Sequence, residues 1–148
     1  MVILDLLRNM NGRIIGSGKE TIILAHGYGG DQSVWDKILP KLCESYKIVL
    51  FDWCFSGANL LKHHFDAEKY SFYEPFADDL IALVDEMKLE SFIFVGHSMS
   101  GIIGCIASIK RPTLFKRLIL VSSSPRLYFF SLLTKLFCTL ISYSLFPF

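Results

Sequence analysis

Four apolar runs punctuate the chain: residues 21–25, 47–51, 91–95 and 118–121. They are unbroken and rich in β-branched residues. The runs at 21–25 and 47–51 read as buried strands rather than strands with one wet side, 91–95 as a further strand and 118–121 as a last parallel strand. Between them the period changes. Val34, Trp35, Ile38 and Leu39 share one helical face after Asp31, which is placed as an N-cap. Phe76, Leu80, Leu83, Val84 and Met87 form a second stripe, predicting a helix over 72–87. Ile102, Ile103, Ile106 and Ile109 form a third over 100–109, and Pro112 ends it. Strands alternating with helices predict a doubly wound, mostly parallel α/β sheet with helices on both faces.

Turn chemistry fills the remainder. Asn11-Gly12 between two short apolar runs predicts an N-terminal hairpin. Gly16-Ser17-Gly18 precedes the first buried strand, and His26-Gly27-Tyr28-Gly29-Gly30 follows it as a tight loop. Residues 52–57 form the loop after the second strand. Residues 58–72, with Lys62, His63, His64 and Asp66 among few apolar anchors, read as a surface connection.

The last 22 residues break the pattern. Residues 127–148 are largely apolar on every face, with Lys135 as the only charge. The stretch is long enough to span a bilayer, but its serines, threonines, Lys135 and Pro147 weaken it as an anchor. The preferred expectation is a tail foreign to the domain, such as translated unspliced sequence. On this reading 1–126 is a partial domain and 127–148 a divergent tail, with membrane attachment as the alternative.

Composition narrows the function. The chain has 148 residues, where such a fold usually needs about 200–250. Net charge is +1, which gives no support for nucleic-acid binding. Six basic residues and no acidic one follow Ser98, so the earlier part is net acidic. Cys43, Cys54, Cys105 and Cys138 lack metal-ligand spacing and read as reduced, buried thiols. No metal or cofactor is expected. Asp5, Arg8 and Asn9 interrupt the early apolar residues, so no secretory signal is expected.

The chemistry centres on Gly96-His97-Ser98-Met99-Ser100-Gly101, between the strand at 91–95 and the helix at 100–109. This is the context of a G-x-S-x-G nucleophile elbow, with Ser100 in place of the second glycine. Ser98 is the candidate nucleophile. The N–H groups of Met99 and of Tyr28, in the earlier glycine-rich loop, are the candidate oxyanion donors. Tyr28 and His97 are candidate pocket residues. A serine hydroxyl needs a base to become a good nucleophile, yet no Asp, Glu or His follows Ser98 in these 148 residues. His26 is expected to stabilise its loop by hydrogen bonding, and Asp52 to orient one.

With these pieces placed, the chain resembles the plant strigolactone-esterase and karrikin-receptor family of α/β-hydrolases. The resemblance rests on LAHGYGGDQSVWDKILPKL (24–42), FDWCFSG (51–57), KYSFYEPFADDL (69–80), FVGHSMSGIIGCIASIKRPTLF (94–115) and SSPR (123–126). FDWCFSG with GHSMSG looks most like the D14-like-two branch. The resemblance implies the N-terminal part of an α/β-hydrolase core, without the cap and later strands that carry the acid and histidine. It implies slow hydrolysis of small butenolide ligands by intact relatives, with F-box and repressor proteins as their partners in cytoplasm and nucleus. Ser98 then corresponds to the family nucleophile, and Tyr28 with Met99 to its oxyanion donors. For this chain the expectation is an inactive product, and the alternative a non-catalytic decoy.

Overall fold

The computed structural model describes residues 5–56 and 66–123. Its centre is a five-stranded sheet built from β1 (Arg13–Ile15), β2 (Glu20–Ala25), β3 (Tyr46–Leu50), β4 (Phe92–His97) and β5 (Phe115–Val121). The strand order is β1-β3-β2-β4-β5. Only β1 runs antiparallel, against β3. The three inner strands β2, β3 and β4 carry apolar runs with Ile23, Leu24, Ile48, Val49, Leu50 and Phe94 wholly buried, whereas β5 is half exposed, with Ile119 and Val121 facing solvent. Burial on both faces is why the inner strands' sequences do not alternate.

Among the described residues four helices flank the sheet: α1 (Asp5–Asn9), α2 (Leu39–Leu42), α3 (Glu74–Glu86) and α4 (Met99–Lys110). One core joins α1, α3 and α4 to the sheet through Leu7, Phe76, Leu80, Leu83, Val84, Ile103 and Phe94. A smaller core lies on the opposite face, where Trp35 and Leu39 cover Ile22, Leu24, Ile48 and Leu50. Helices on both faces make the sheet doubly wound, as its pattern of strands and helices predicts.

Among the described residues the predicted N-terminal hairpin is replaced by a helix and a strand. Residues 5–9 are helical, and Asn11-Gly12 closes that helix. Gly12 N–H donates to Leu7 O at 2.7 Å and Asn11 N–H to Arg8 O at 3.1 Å, with Asn11 at φ 50°. This is a Schellman end, which demands the same left-handed residue as a hairpin turn. At its other end, the backbone N–H groups of Leu6 and Leu7 donate to the Glu86 carboxylate at 2.8 and 3.2 Å. A side chain from the end of α3 thus caps α1 and fixes their contact.

The helix expected after Asp31 is broken. Asp31 does cap, accepting from Ser33 N–H at 2.8 Å. The element it opens is a 3₁₀ turn (Gln32–Trp35), and α2 starts afresh with Pro40 in its first turn. Proline has no N–H to continue a helix from the preceding turn. Trp35 and Leu39 are buried, but Val34 and Ile38 face solvent.

The third stripe is also displaced. α4 buries Ser100, Gly101, Ile103, Gly104, Cys105 and Ala107, while Ile109 is exposed. Mostly small residues, rather than the isoleucine face, make the close approach to the sheet. Among the described residues β5 pairs only with β4, so it forms an edge. Its Lys116 and Arg117 are exposed, and such charges discourage pairing with another chain.

Candidate functional site

β2 and β4 are parallel neighbours, with Ala25 opposite Gly96. The loops that follow them therefore leave the same sheet edge side by side. This is how residues 26–30 come to lie against residues 97–99. The approach is close enough to specify glycine at Gly27. A Cβ there would stand 2.8 Å from His97 Nδ1 and 2.9 Å from Ser98 Cβ. Gly96 is equally constrained, because its Cβ would meet the Ser100 carbonyl at 2.6 Å.

Ser98 sits at φ 54°, ψ −118° between β4 and α4. A non-glycine residue there carries strain of about 1–3 kcal/mol, which persists only where surrounding structure enforces it. Here the end of β5 does so. Ser98 N–H donates to Val121 O at 2.9 Å, and Ser98 O accepts from Ser123 Oγ at 2.7 Å. Both backbone polar groups are engaged, and the side chain is half-buried. Met99 opens α4, so its N–H is among the donors a helix start leaves free for an incoming anion.

Tyr28 is 80% exposed. Its ring stands 5.3 Å from that of Phe55, which packs 5.7 Å from Phe76. An aromatic ladder thus runs from the loop beside Ser98 into the core. Phe55 was not singled out by sequence pattern, since it lies in a loop without periodicity.

Beneath the loop lies a buried polar network. Asp52, at the end of β3, accepts from Gln32 N–H at 2.8 Å, Asn11 Nδ2 at 2.7 Å and Gln32 Nε2 at 3.2 Å. Arg13 Nε donates to Gln32 Oε1 at 2.7 Å. His26 is wholly buried. Its Nδ1–H donates to Gly27 O at 2.9 Å, and its Nε2 accepts from Trp53 N–H at 3.1 Å. Those contacts define a neutral imidazole. Desolvation holds its pKa below the usual value, against the opposing pull of the Gly27 carbonyl and of Asp52. Its nitrogens are committed to the loop, so it is not a base aimed at Ser98. Asp52 likewise orients a loop.

Trp53 and Ser100 complete the network. Trp53 Nε1 donates to Ser100 Oγ at 2.7 Å, and Ser100 Oγ donates to His26 O. The serine at the motif's second glycine position is therefore a buried bridging hydroxyl. Its signal in the sequence was the polar residue itself, which needs a partner once buried.

Other expectations fall outside the site. Cys43 and Cys54 are half-buried and Cys105 is buried. Burial pushes the Cys54 thiol up to about 11, which leaves it protonated at neutral pH. Among the described residues no group of three or more His, Cys, Asp or Glu could hold a metal ion. Among the same residues no helix is long and apolar enough to cross a membrane. His63, His64, Cys138 and the tail 127–148 lie outside the described residues.

Residues 20–136 match the alpha/beta hydrolase fold family. A karrikin insensitive 2 receptor of Petunia hybrida is 50% identical over 116 residues, 78% of this chain and 43% of the relative. A strigolactone esterase of Arabidopsis thaliana is 43% identical over 122 residues, 82% of this chain and 45% of the relative. The chain thus spans less than half the length of these curated relatives. Among solved structures, a hydrolase from Oleispira antarctica superposes with TM-score 0.77 at 33% identity, covering 82% of this chain and 44% of that one.

Proposed function

The chain belongs to the alpha/beta hydrolase fold family, and we propose that it carries the nucleophile and oxyanion half of a serine-hydrolase site. It is related to karrikin receptors and strigolactone esterases. In this reading Ser98 attacks a carbonyl carbon, and the N–H groups of Met99 and Tyr28 receive the developing oxyanion. Tyr28 and His97 line the approach. The observation that carries it is the strained backbone of Ser98, braced by Val121 and Ser123 at the start of a helix. Strain of this kind gathers where a side chain must be presented.

The substrate class we propose is a small butenolide-type ligand, on the strength of the relatives' names. F-box and repressor partners, in cytoplasm and nucleus, are proposed only for a protein that carries the rest of the fold. The 148-residue chain has no Asp, Glu or His after Ser98, and His26 is committed to its loop. In this reading no base among the described residues activates Ser98. An oxyanion hole without a base retains only a small part of a hydrolase's rate advantage. We also propose that residues 1–126 form the hydrolase part and 127–148 a separate tail.

The test uses the purified full chain with a fluorogenic ester and, separately, a reactive fluorophosphonate. The expected result is no ester turnover above the Ser98→Ala variant and, at alkaline pH where hydroxide stands in for the missing base, a slow adduct on Ser98 that the variant lacks. Ser98-dependent turnover would overturn the inactivity. An adduct elsewhere, or none, would overturn Ser98 as the nucleophile.

A further inference from the structure

Three residues from three elements close a ring of hydrogen bonds beneath the candidate oxyanion loop. His26 directly follows β2, Trp53 lies just beyond the end of β3, and Ser100 is in the first turn of α4. Ser100 Oγ donates to His26 O, Trp53 N–H donates to His26 Nε2 at 3.1 Å, and Trp53 Nε1 donates back to Ser100 Oγ at 2.7 Å. All three side chains are wholly or almost wholly buried. His26 is gripped at its carbonyl and at both ring nitrogens, the last contact reaching the Gly27 carbonyl at 2.9 Å.

We propose that Ser100 and Trp53 are positioning residues, which set the distance between the Tyr28 and Met99 N–H groups. The inference rests on the oxyanion role proposed above for those two groups. Met99 is adjacent to Ser100 in α4, and Tyr28 is two residues beyond His26. A strut between the Ser100 hydroxyl and the His26 carbonyl therefore ties the two donors to one frame. Only a hydroxyl performs this task, because it must accept from the indole and donate to the carbonyl at once. Alanine or glycine at position 100 would strand both partners in a dry interior. Phenylalanine at position 53 would leave the hydroxyl its carbonyl but remove the indole that orients it. Oxyanion stabilisation depends on donors placed before the charge develops, so a loosened frame lowers the chemical step rather than binding.

The experiment compares the wild-type full chain with Ser100→Ala, Ser100→Thr, Trp53→Phe and the Ser100→Ala/Trp53→Phe double variant. Two readouts are taken. One is the maximal rate and half-saturating concentration for fluorophosphonate adduct formation at Ser98. The other is the set of amide and indole N–H positions in a ¹H–¹⁵N spectrum. The expected result is a maximal rate about ten- to a hundredfold lower in Ser100→Ala, with the half-saturating concentration unchanged. The amides of Gly27, Tyr28 and Met99 shift, and those of α3 stay in place. Ser100→Thr restores most of the rate, and the double variant is no slower than the slower single one. An unchanged rate and unmoved Gly27 and Tyr28 amides in Ser100→Ala would overturn the proposal. So would a rate that falls only in proportion to unfolded protein measured by circular dichroism. Should Ser100→Ala not fold, Trp53→Phe decides, by the same two criteria. Should the wild type form no adduct, the nucleophile reading fails, and the Gly27 and Tyr28 amides alone decide whether the strut exists.

Discussion

Gly27 and Ser98 are packed so closely that a methyl group on Gly27 would stand 2.9 Å from the Ser98 Cβ. The same methyl would press on the His97 ring at 2.8 Å. Neither neighbour can retreat easily, since Ser98 is tied to β5 by its backbone and the loop is tied down through His26. Gly27→Ala should therefore cost about 1–3 kcal/mol, in the range of overpacked sites. Urea unfolding would measure this. A midpoint equal to wild type would show that the loop yields freely.

Ser98→Gly should act in the opposite sense. Glycine adopts φ 54°, ψ −118° without the Cβ conflict, and it keeps the N–H bond to Val121 and the carbonyl bond from Ser123. The relief of about 1–3 kcal/mol is offset by about 0.5–1 kcal/mol of extra chain entropy in the unfolded state. The net expectation is a gain of about 1 kcal/mol, read as a higher thermal midpoint. A lower midpoint would mean that the side chain of Ser98 contributes packing which outweighs its strain.

His26 makes stability depend on pH in a defined window. Burial holds the folded imidazole below its ordinary 6.5, with His97 adding a smaller push the same way. The Gly27 carbonyl, Asp52 and Asp31 pull upward without prevailing. Between the lowered folded value and 6.5 the unfolded chain binds a proton that the folded chain refuses. The stabilisation is complete above 6.5 and is lost as pH falls through that window. The carboxyls of Glu20 and Asp31 are held down mainly by hydrogen bonds from Lys116 and Ser33, from ordinary values of 4.5 and 3.8. Their contributions are lost only at lower pH. The urea midpoint should therefore decline from about pH 7 to pH 5, and His26→Gln should flatten that decline even while lowering the midpoint at pH 7.5. An equal slope in both proteins would remove His26 as its source.

The buried strands were legible because a parallel sheet asks only for unbroken apolar runs. Residues 21–25, 47–51 and 91–95 fall on Glu20–Ala25, Tyr46–Leu50 and Phe92–His97 within two residues. α1 was not legible, because five residues are too few to show a period and Asn11-Gly12 serves a helix end as readily as a hairpin. α2 was misjudged because the apolar spacing across 34–39 outweighed Pro40. The proposed site residues Ser98, Met99, Tyr28 and His97 lie in local motifs on two loops. The ring of His26, Trp53 and Ser100 could not be read from such motifs, since it joins residues whose proximity depends on strand order rather than on spacing along the chain.

That strand order also sets the sequence of events during synthesis. β2 lies between β3 and β4, with Ile22 opposite both Ile48 and Ile93. A chain emerging from the ribosome can pair β2 with β3 early, but the other side of β2 must wait for β4. Through that interval a buried, apolar strand presents a bare flank, at the stage when nascent chains are most prone to capture by one another. Translation speed across residues 51–91, and chaperone cover while they are made, should therefore govern the yield of folded protein more than the final stability does.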